Sequence, residues 1–97
     1  MAVNDKQKRY LKGLAHTIKP VVLIGNKGLT DTVLTEIDNA LEQHELIKVR
    51  VSGQERSDRI IMLNDIAAKT NSDLVMIIGH IGGYYRKAKE PKISLPR

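Results

Sequence analysis

Several residue types are missing from this 97-residue chain or are scarce in it. There is no cysteine, which excludes a disulfide framework, a thiolate metal site and a cysteine nucleophile, and which is usual in a reducing compartment. There is no phenylalanine or tryptophan, and three tyrosines are too few for an aromatic platform that stacks bases. No apolar run approaches the ~20 residues that a membrane-spanning helix requires.

The residues that are present indicate a single globular domain over positions 1–97. Apolar residues make up 41% of the chain and charged residues 28%, a balance typical of folded rather than disordered proteins. A chain of this length can bury a genuine hydrophobic core. The first twelve residues are polar and mixed in charge, unlike a secretory signal. Together with the missing cysteine, this predicts a cytoplasmic protein.

Charge is segregated along the chain, whose net charge is +5. Residues 1–20 carry five cations and one acid, and residues 74–97 repeat that excess. Residues 29–45 carry five acids and no cation. Such segregation predicts a basic surface that meets a polyanion and an acidic surface turned away from it. Ordinary solvated faces are the alternative interpretation.

Apolar periodicity and breaker residues predict seven elements. They are a helix capped by Asn4 and ending near Thr17, a strand at 21–24, a helix from Thr30 or Asp31 to about His44, a strand at 46–51, a helix capped by Ser57 and ending near Asn71, a strand at 74–78, and a last strand at 84–87. The order α-β-α-β-α-β-β predicts an α/β two-layer domain with a four-stranded mixed sheet. From residue 88 the prolines predict an irregular basic tail.

Details of the predicted strands also follow from the pattern. The continuous apolar run 21–24 is typical of an interior strand covered on both faces. Alternation in 46–51 directs Lys48 and Arg50 to one face and the aliphatic residues to the other. The glycines in 79–83 predict a tight hairpin turn. Tyr84 and Tyr85 alternate, so at most one of them is expected to reach a base.

The segment Gly25-Asn26-Lys27-Gly28 lies between the first predicted strand and the second predicted helix. Glycine permits positive φ and a close approach of the backbone to another polymer. The helix that follows points its free N–H groups and its positive dipole end at the same place, which favours phosphate. Loops of this GxxG kind clamp a nucleic-acid backbone in KH-type domains, although a simple turn is an equally ordinary use of such glycines.

No catalytic constellation is visible, so we expect a protein that is not an enzyme and that needs no metal, cofactor or small-molecule substrate. His16, His44 and His80 lie on three elements without metal-ligand spacing, and no nucleotide-binding or nucleophile motif occurs. Two other functions stay open. One is a protein–protein adaptor that uses the acidic second helix; the other is a small hydrolase that uses His80 and neighbouring acids.

Four segments in order, residues 11–16, 19–25, 28–30 and 92–97, resemble the bacterial YhbY proteins, which are stand-alone CRM (chloroplast RNA splicing and ribosome maturation) domains. The resemblance covers about residues 5–97. It implies a fold like the C-terminal domain of translation initiation factor three, RNA binding, and association with precursors of the large ribosomal subunit. The pre-ribosomal particle and its RNA would then be the partners, with no membrane involved.

The predicted RNA-binding residues come from the basic positions together with this resemblance. The family's GxxG corresponds to Gly25–Gly28, and its apolar-Tyr-Arg pattern corresponds to Tyr84-Tyr85-Arg86. Many members have their basic residue second in the loop, whereas Asn26 precedes Lys27 here. The full set is Gly25, Asn26, Lys27, Gly28, Thr30, Lys6, Lys8, Arg9, Lys12, Lys48, Arg50, Arg86 and Lys87.

Overall fold

Residues 3–97 fold into three helices and a four-stranded sheet. This computed structural model describes residues 3–97, so the first two residues of the predicted domain lie outside the described part. The elements are α1 (Asp5–Ala15), β1 (Pro20–Ile24), α2 (Asp31–His44), β2 (Leu46–Val51), α3 (Arg56–Thr70), β3 (Asp73–Ile78) and β4 (Ile81–Tyr85). Strands lie in the order β1-β2-β4-β3; β1 and β2 are parallel, and β4 is antiparallel to both neighbours. The predicted α/β class, element order and mixed sheet are confirmed.

The helix starts are explained by their capping residues in two cases out of three. Asn4 and Gln7 form a reciprocal capping box at α1. The Thr30 hydroxyl accepts a hydrogen bond from the Val33 N–H and caps α2. Helix α3 instead begins after Glu55, whose side chain makes no capping bond, so the predicted Ser57 cap is wrong and Ser57 lies within the first turn.

Helices α2 and α3 cover one face of the sheet and form the larger hydrophobic core. Its members alternate along the strands, as expected for one covered face. Tyr84 is fully buried there, and its hydroxyl donates to the carbonyl of Leu63, 2.5 Å away. Burial raises the pKa of the Tyr84 phenol. The buried residues of this core are Val22, Ile24, Ile37, Leu41, Ile47, Val49, Val51, Leu63, Ile66 and Tyr84.

Helix α1 and the C-terminal segment cover part of the opposite face. Leu11 and Ala15 of α1 are fully buried against Leu46, Val75, Met76 and Tyr85. Ile93 and Leu95 pack into the same cluster although they belong to no helix or strand. Both consecutive tyrosines are therefore buried, one in each core, and neither is exposed to contact a base.

Strand β1 is an edge strand, so the prediction that it is covered on both faces is wrong. Val22 and Ile24 are buried against the helices, but Val21 is 49% exposed and Leu23 is 69% exposed. An edge strand with one uncovered face can show the same short apolar run as a buried strand, because periodicity does not distinguish the two.

The last hairpin turns at Gly79 and His80, and β4 starts earlier than predicted. Gly82 and Gly83 belong to the strand rather than to the turn, and the strand ends at Tyr85 rather than at Lys87. A Cβ on Gly82 would come within 2.8 Å of Leu63, and one on Gly83 within 2.7 Å of Met76. These glycines therefore permit close packing on both faces of the sheet.

A buried glutamate anchors the C-terminal segment. The Glu45 carboxylate, which has no exposed surface, accepts hydrogen bonds from the backbone N–H groups of Ala88, Lys92 and Ile93. Burial by itself raises the pKa of this carboxyl, but the three N–H groups and the Lys92 charge outweigh it and hold the pKa of Glu45 below its ordinary value. The predicted tail is irregular, and it is also docked. No helix within residues 3–97 is both long and apolar enough to cross a membrane.

Candidate nucleic-acid interface

The segment Gly25–Gly28 is a β-turn on the surface. The Gly28 N–H donates to the Gly25 carbonyl at 3.1 Å, which places Asn26 and Lys27 at the exposed tip. Gly28 has φ +72°, so this position requires the freedom of glycine. Gly25 does not have a positive φ, and a Cβ added there would meet no atom within 4 Å. Gly25 is therefore open to solvent and is not needed by the turn.

The turn leads directly into the N-terminus of α2. The Thr30 N–H donates to the Gly28 carbonyl, and the Thr30 side chain caps Val33. The N–H groups of Asp31 and Thr32 lie in the first turn, where a helix supplies no carbonyl partner. These donors and the helix dipole favour an anion beside Lys27, although the Asp31 carboxylate adds a competing negative charge.

The loop between β2 and α3 lies at the same end of the sheet. The Ser52 N–H donates to the Ile24 carbonyl, which joins the β2–α3 loop to the base of the turn. Asn26 occupies the space where a Cβ of Gly53 would be, since that Cβ would lie 2.2 Å from the Asn26 Oδ1. Asn26 is thus packed toward the neighbouring loop, and Lys27 is the residue of the turn that can extend its charge outward.

This end also contains residues that the sequence prediction missed. Arg56 and Arg59 lie in the first turns of α3, and the Arg59 Nε donates to the Gly79 carbonyl at 3.2 Å. His80 donates from Nδ1 to the Val51 carbonyl at 3.1 Å. Because β1 and β2 are parallel, their C-terminal ends and the helix starts that follow must meet at one edge, a signal that could have identified both arginines.

Six of the predicted cations lie on α1 or on the sheet face that carries it. Lys48 and Arg50 point away from the α2–α3 core, as the alternation in β2 predicted. Lys8 and Lys12 line a groove between α1 and β3. Lys6 and Arg9 are exposed elsewhere on α1. The structure therefore gathers basic side chains on this side of the sheet.

Arg86 and Lys87 lie at the opposite end of the sheet, where β4 ends. The Arg86 guanidinium donates to the Asp38 carboxylate, to the Asp38 carbonyl at 3.1 Å and to the Thr70 carbonyl at 2.8 Å. It joins α2, α3 and β4, and within residues 3–97 it forms the one ion pair. Lys87 is exposed beside the C-terminal segment. Neither residue is brought to the turn.

The acidic second helix is partly committed to contacts within the chain. Asp38 binds Arg86, Glu42 accepts a hydrogen bond from the Lys89 N–H, and Glu45 is buried. Three of the five acids that suggested an adaptor surface therefore bind this chain itself. His16 follows α1, His44 ends α2 and His80 lies in the turn between β3 and β4. Residues 3–97 contain no group of three or more potential metal ligands.

Comparison with known proteins assigns the chain to a family. Residues 3–86 match the CRS1 / YhbY (CRM) domain. The chain belongs to the CRM domain family. This confirms the resemblance that its sequence motifs indicated.

Relatives match over nearly their whole length. A Haemophilus influenzae protein named as an RNA-binding protein is 50% identical over 98% of this chain and 96% of its own. A Pseudomonas aeruginosa protein named as a probable RNA-binding protein is 42% identical over 98% of this chain and 91% of its own. The solution structure of a hypothetical protein from Staphylococcus aureus has a TM-score of 0.86 and 41% identity, covering 98% of this CRM chain and all of that one.

Proposed function

We propose that this CRM protein is a non-catalytic, cytoplasmic RNA-binding protein that docks on structured ribosomal RNA during assembly of the large subunit. The observation that carries the proposal is the exposed turn Gly25–Gly28, whose Lys27 stands beside the free N–H groups of α2. Relatives named as RNA-binding proteins support RNA as the ligand. The resemblance of the sequence motifs to the YhbY proteins suggests ribosomal RNA.

In this proposal the turn and the basic surface have different roles. Backbone N–H groups at the α2 start and the Lys27 ammonium contact one stretch of phosphates, with Asn26, Gly28 and Thr30 shaping the approach. The surrounding charge comes from Lys6, Lys8, Arg9, Lys12, Lys48 and Arg50. Such contacts recognise the shape of a folded RNA more than its sequence.

Arg86 and Lys87 are left out of the proposed contact surface. The Arg86 donors already bind Asp38 and Thr70, so an RNA phosphate would have to displace those contacts. Lys87 lies at the far end of β4 from the turn. Arg86 is better explained by the packing of that end of the molecule.

Salt dependence tests the electrostatic mechanism. With about five phosphates of a single strand neutralised, the logarithm of the association constant should fall against the logarithm of salt with a slope near −3.5. Lys27→Gln should make the slope shallower by about 0.7, the contribution of one phosphate contact. Lys69→Gln removes an exposed lysine from the last turn of α3 and should leave the slope unchanged.

The ribosomal assignment requires a separate measurement. Crosslinking in cells, followed by sequencing of the attached RNA, should recover precursor large-subunit RNA. A slope near zero would remove the electrostatic mechanism, whereas crosslinks confined to other RNAs would remove only the ribosomal role.

A further inference from the structure

One row of side chains on the sheet is exposed although it lies on the face that α1 partly covers. The strand registers align Leu23 with Arg50, Arg50 with Ile81, and Ile81 with Ile78 across all four strands. Residues aligned in this way share one face, and for this row it is the face that carries α1. Leu23 is 69% exposed, Ile78 is 56% exposed and Ile81 is half-buried. The row therefore presents aliphatic side chains and one guanidinium to solvent.

This row is the floor of a shallow trough. One wall is α1, whose Lys8, Lys12 and His16 line the groove along β3 up to Ile78. The other boundary is the loop end of the sheet, since the turn Gly25–Gly28 begins directly after β1 and the turn at 79–80 directly after β3. The trough is defined by Leu23, Arg50, Ile78, Ile81 and the α1 wall. Leu23 lies two residues before Gly25, so the β1 end of the row adjoins the proposed phosphate-binding turn.

The trough combines a mostly aliphatic floor, in which Arg50 lies between Leu23 and Ile81, with the cations Lys8 and Lys12 on its α1 wall. Exposed aliphatic side chains in a continuous row mark an interaction surface rather than ordinary scatter. The surrounding charges are positive, so a second copy of this chain would bring like charges together, and a polyanion is the complementary ligand. An unpaired nucleotide offers both properties, because its base has an apolar face and its phosphate a negative charge.

We propose that the trough holds an unpaired segment of the bound RNA, an inference that rests on the proposed RNA-binding function. The faces of the bases lie on Leu23, Ile78 and Ile81, and the Arg50 guanidinium plane stacks on a base, as arginine does in RNA complexes. The phosphates lie toward Lys8 and Lys12. A regular duplex keeps its base faces stacked inside the helix, so it reaches the turn but not this floor.

The test measures two RNA probes against two floor variants and one matched control variant. The probes are a 12-nucleotide unstructured RNA and a blunt-ended RNA duplex, measured at the same salt concentration. Leu23→Ser removes an aliphatic side chain from the floor, and Ile61→Ser removes one of similar exposure, 60%, from α3, which packs on the other sheet face. Ile78→Ser is a second floor variant. Melting curves check that each variant folds.

The expected result is selective. Leu23→Ser and Ile78→Ser should each weaken binding of the unstructured RNA about five- to tenfold through lost apolar contact, with little effect on the duplex and no change in salt slope. Ile61→Ser should change neither. Equal losses for both probes, or no loss for either, would overturn the trough proposal, and the second outcome is expected if the trough binds a protein. If the unaltered protein binds neither probe, the proposed function itself fails.

Discussion

The two ends of the sheet use charged and polar groups in opposite ways. At the loop end, Lys27 is exposed and the first N–H groups of α2 have no helical partner. At the other end, Glu45 holds three backbone N–H groups and Arg86 joins α2, α3 and β4. The comparison shows that a count of basic residues does not identify a binding surface. A binding surface requires donors and charges that are not already bound to other groups of the same chain.

The largest effect on stability is expected at the end of the sheet where charged groups bind other parts of the chain. Glu45→Ala would leave the N–H groups of Ala88, Lys92 and Ile93 without their acceptor, and each unsatisfied buried donor costs about 1–3 kcal/mol. Partial exposure of the released segment to water limits the total, so we expect the free energy of unfolding to fall by about 2–4 kcal/mol. Urea denaturation measures it.

The exposed acid Glu36 on α2 supplies the control. Glu36→Ala should change the free energy of unfolding by less than about 0.5 kcal/mol. At a temperature where Glu45→Ala is still folded, its affinity for RNA should match that of the unaltered protein. A large loss of RNA affinity in the folded variant would show that the docked C-terminal segment belongs to the interface, and the contrast between the two ends would not hold.

A smaller loss of stability is expected when Arg86 is replaced. The same variant distinguishes a packing role of Arg86 from a contact with RNA. Arg86→Leu keeps much of the side-chain volume but removes the bonds to Asp38 and Thr70, so we expect about 1–2 kcal/mol of lost stability. The salt slope of RNA binding should stay unchanged. A slope made shallower by about 0.7, as for Lys27→Gln, would restore the contact role that the family resemblance implied.

The local sequence pattern predicts the helices and strands, but it does not predict which distant residues contact them. Asn4 and Thr30 cap their helices as predicted, because a capping side chain acts on residues only three positions away. Arg86 could not be recognised as a packing residue, because its partner Asp38 lies 48 positions earlier. The number of residues between two partners thus separates the predictable contacts from the others.

The same limit explains the errors in the strands. The run Val21–Ile24 does not reveal that α1 leaves Leu23 uncovered, which depends on where a helix crosses the sheet. The sequence predicts Gly82 and Gly83 as turn residues, whereas in the structure they lie in β4 and leave space for Leu63 and Met76. Within the candidate site, the GxxG turn was visible in sequence; Arg56, Arg59 and the exposed row on the sheet required the tertiary arrangement.

The smallest effect on stability is expected at the loop end, where Gly25 is unconstrained. Gly25→Leu introduces a side chain at a residue without positive φ and with open space around its Cβ, so the free energy of unfolding should change by less than about 0.5 kcal/mol. RNA affinity should nevertheless fall several-fold, because the side chain keeps the RNA backbone away from the turn. Fluorescence titration with the RNA duplex measures the loss.

Gly13 in α1 offers a matched control, because it is exposed and a Cβ there also meets no atom within 4 Å. Gly13→Leu lies in a helix interior, where replacing glycine favours the helix, so it should stabilise the protein by up to about 1 kcal/mol and leave RNA affinity unchanged. Equal RNA affinity in the Gly25 and Gly13 variants would mean that the Gly25–Gly28 segment is only a turn. The free donors at the loop end would then be unpaired without serving as a binding site.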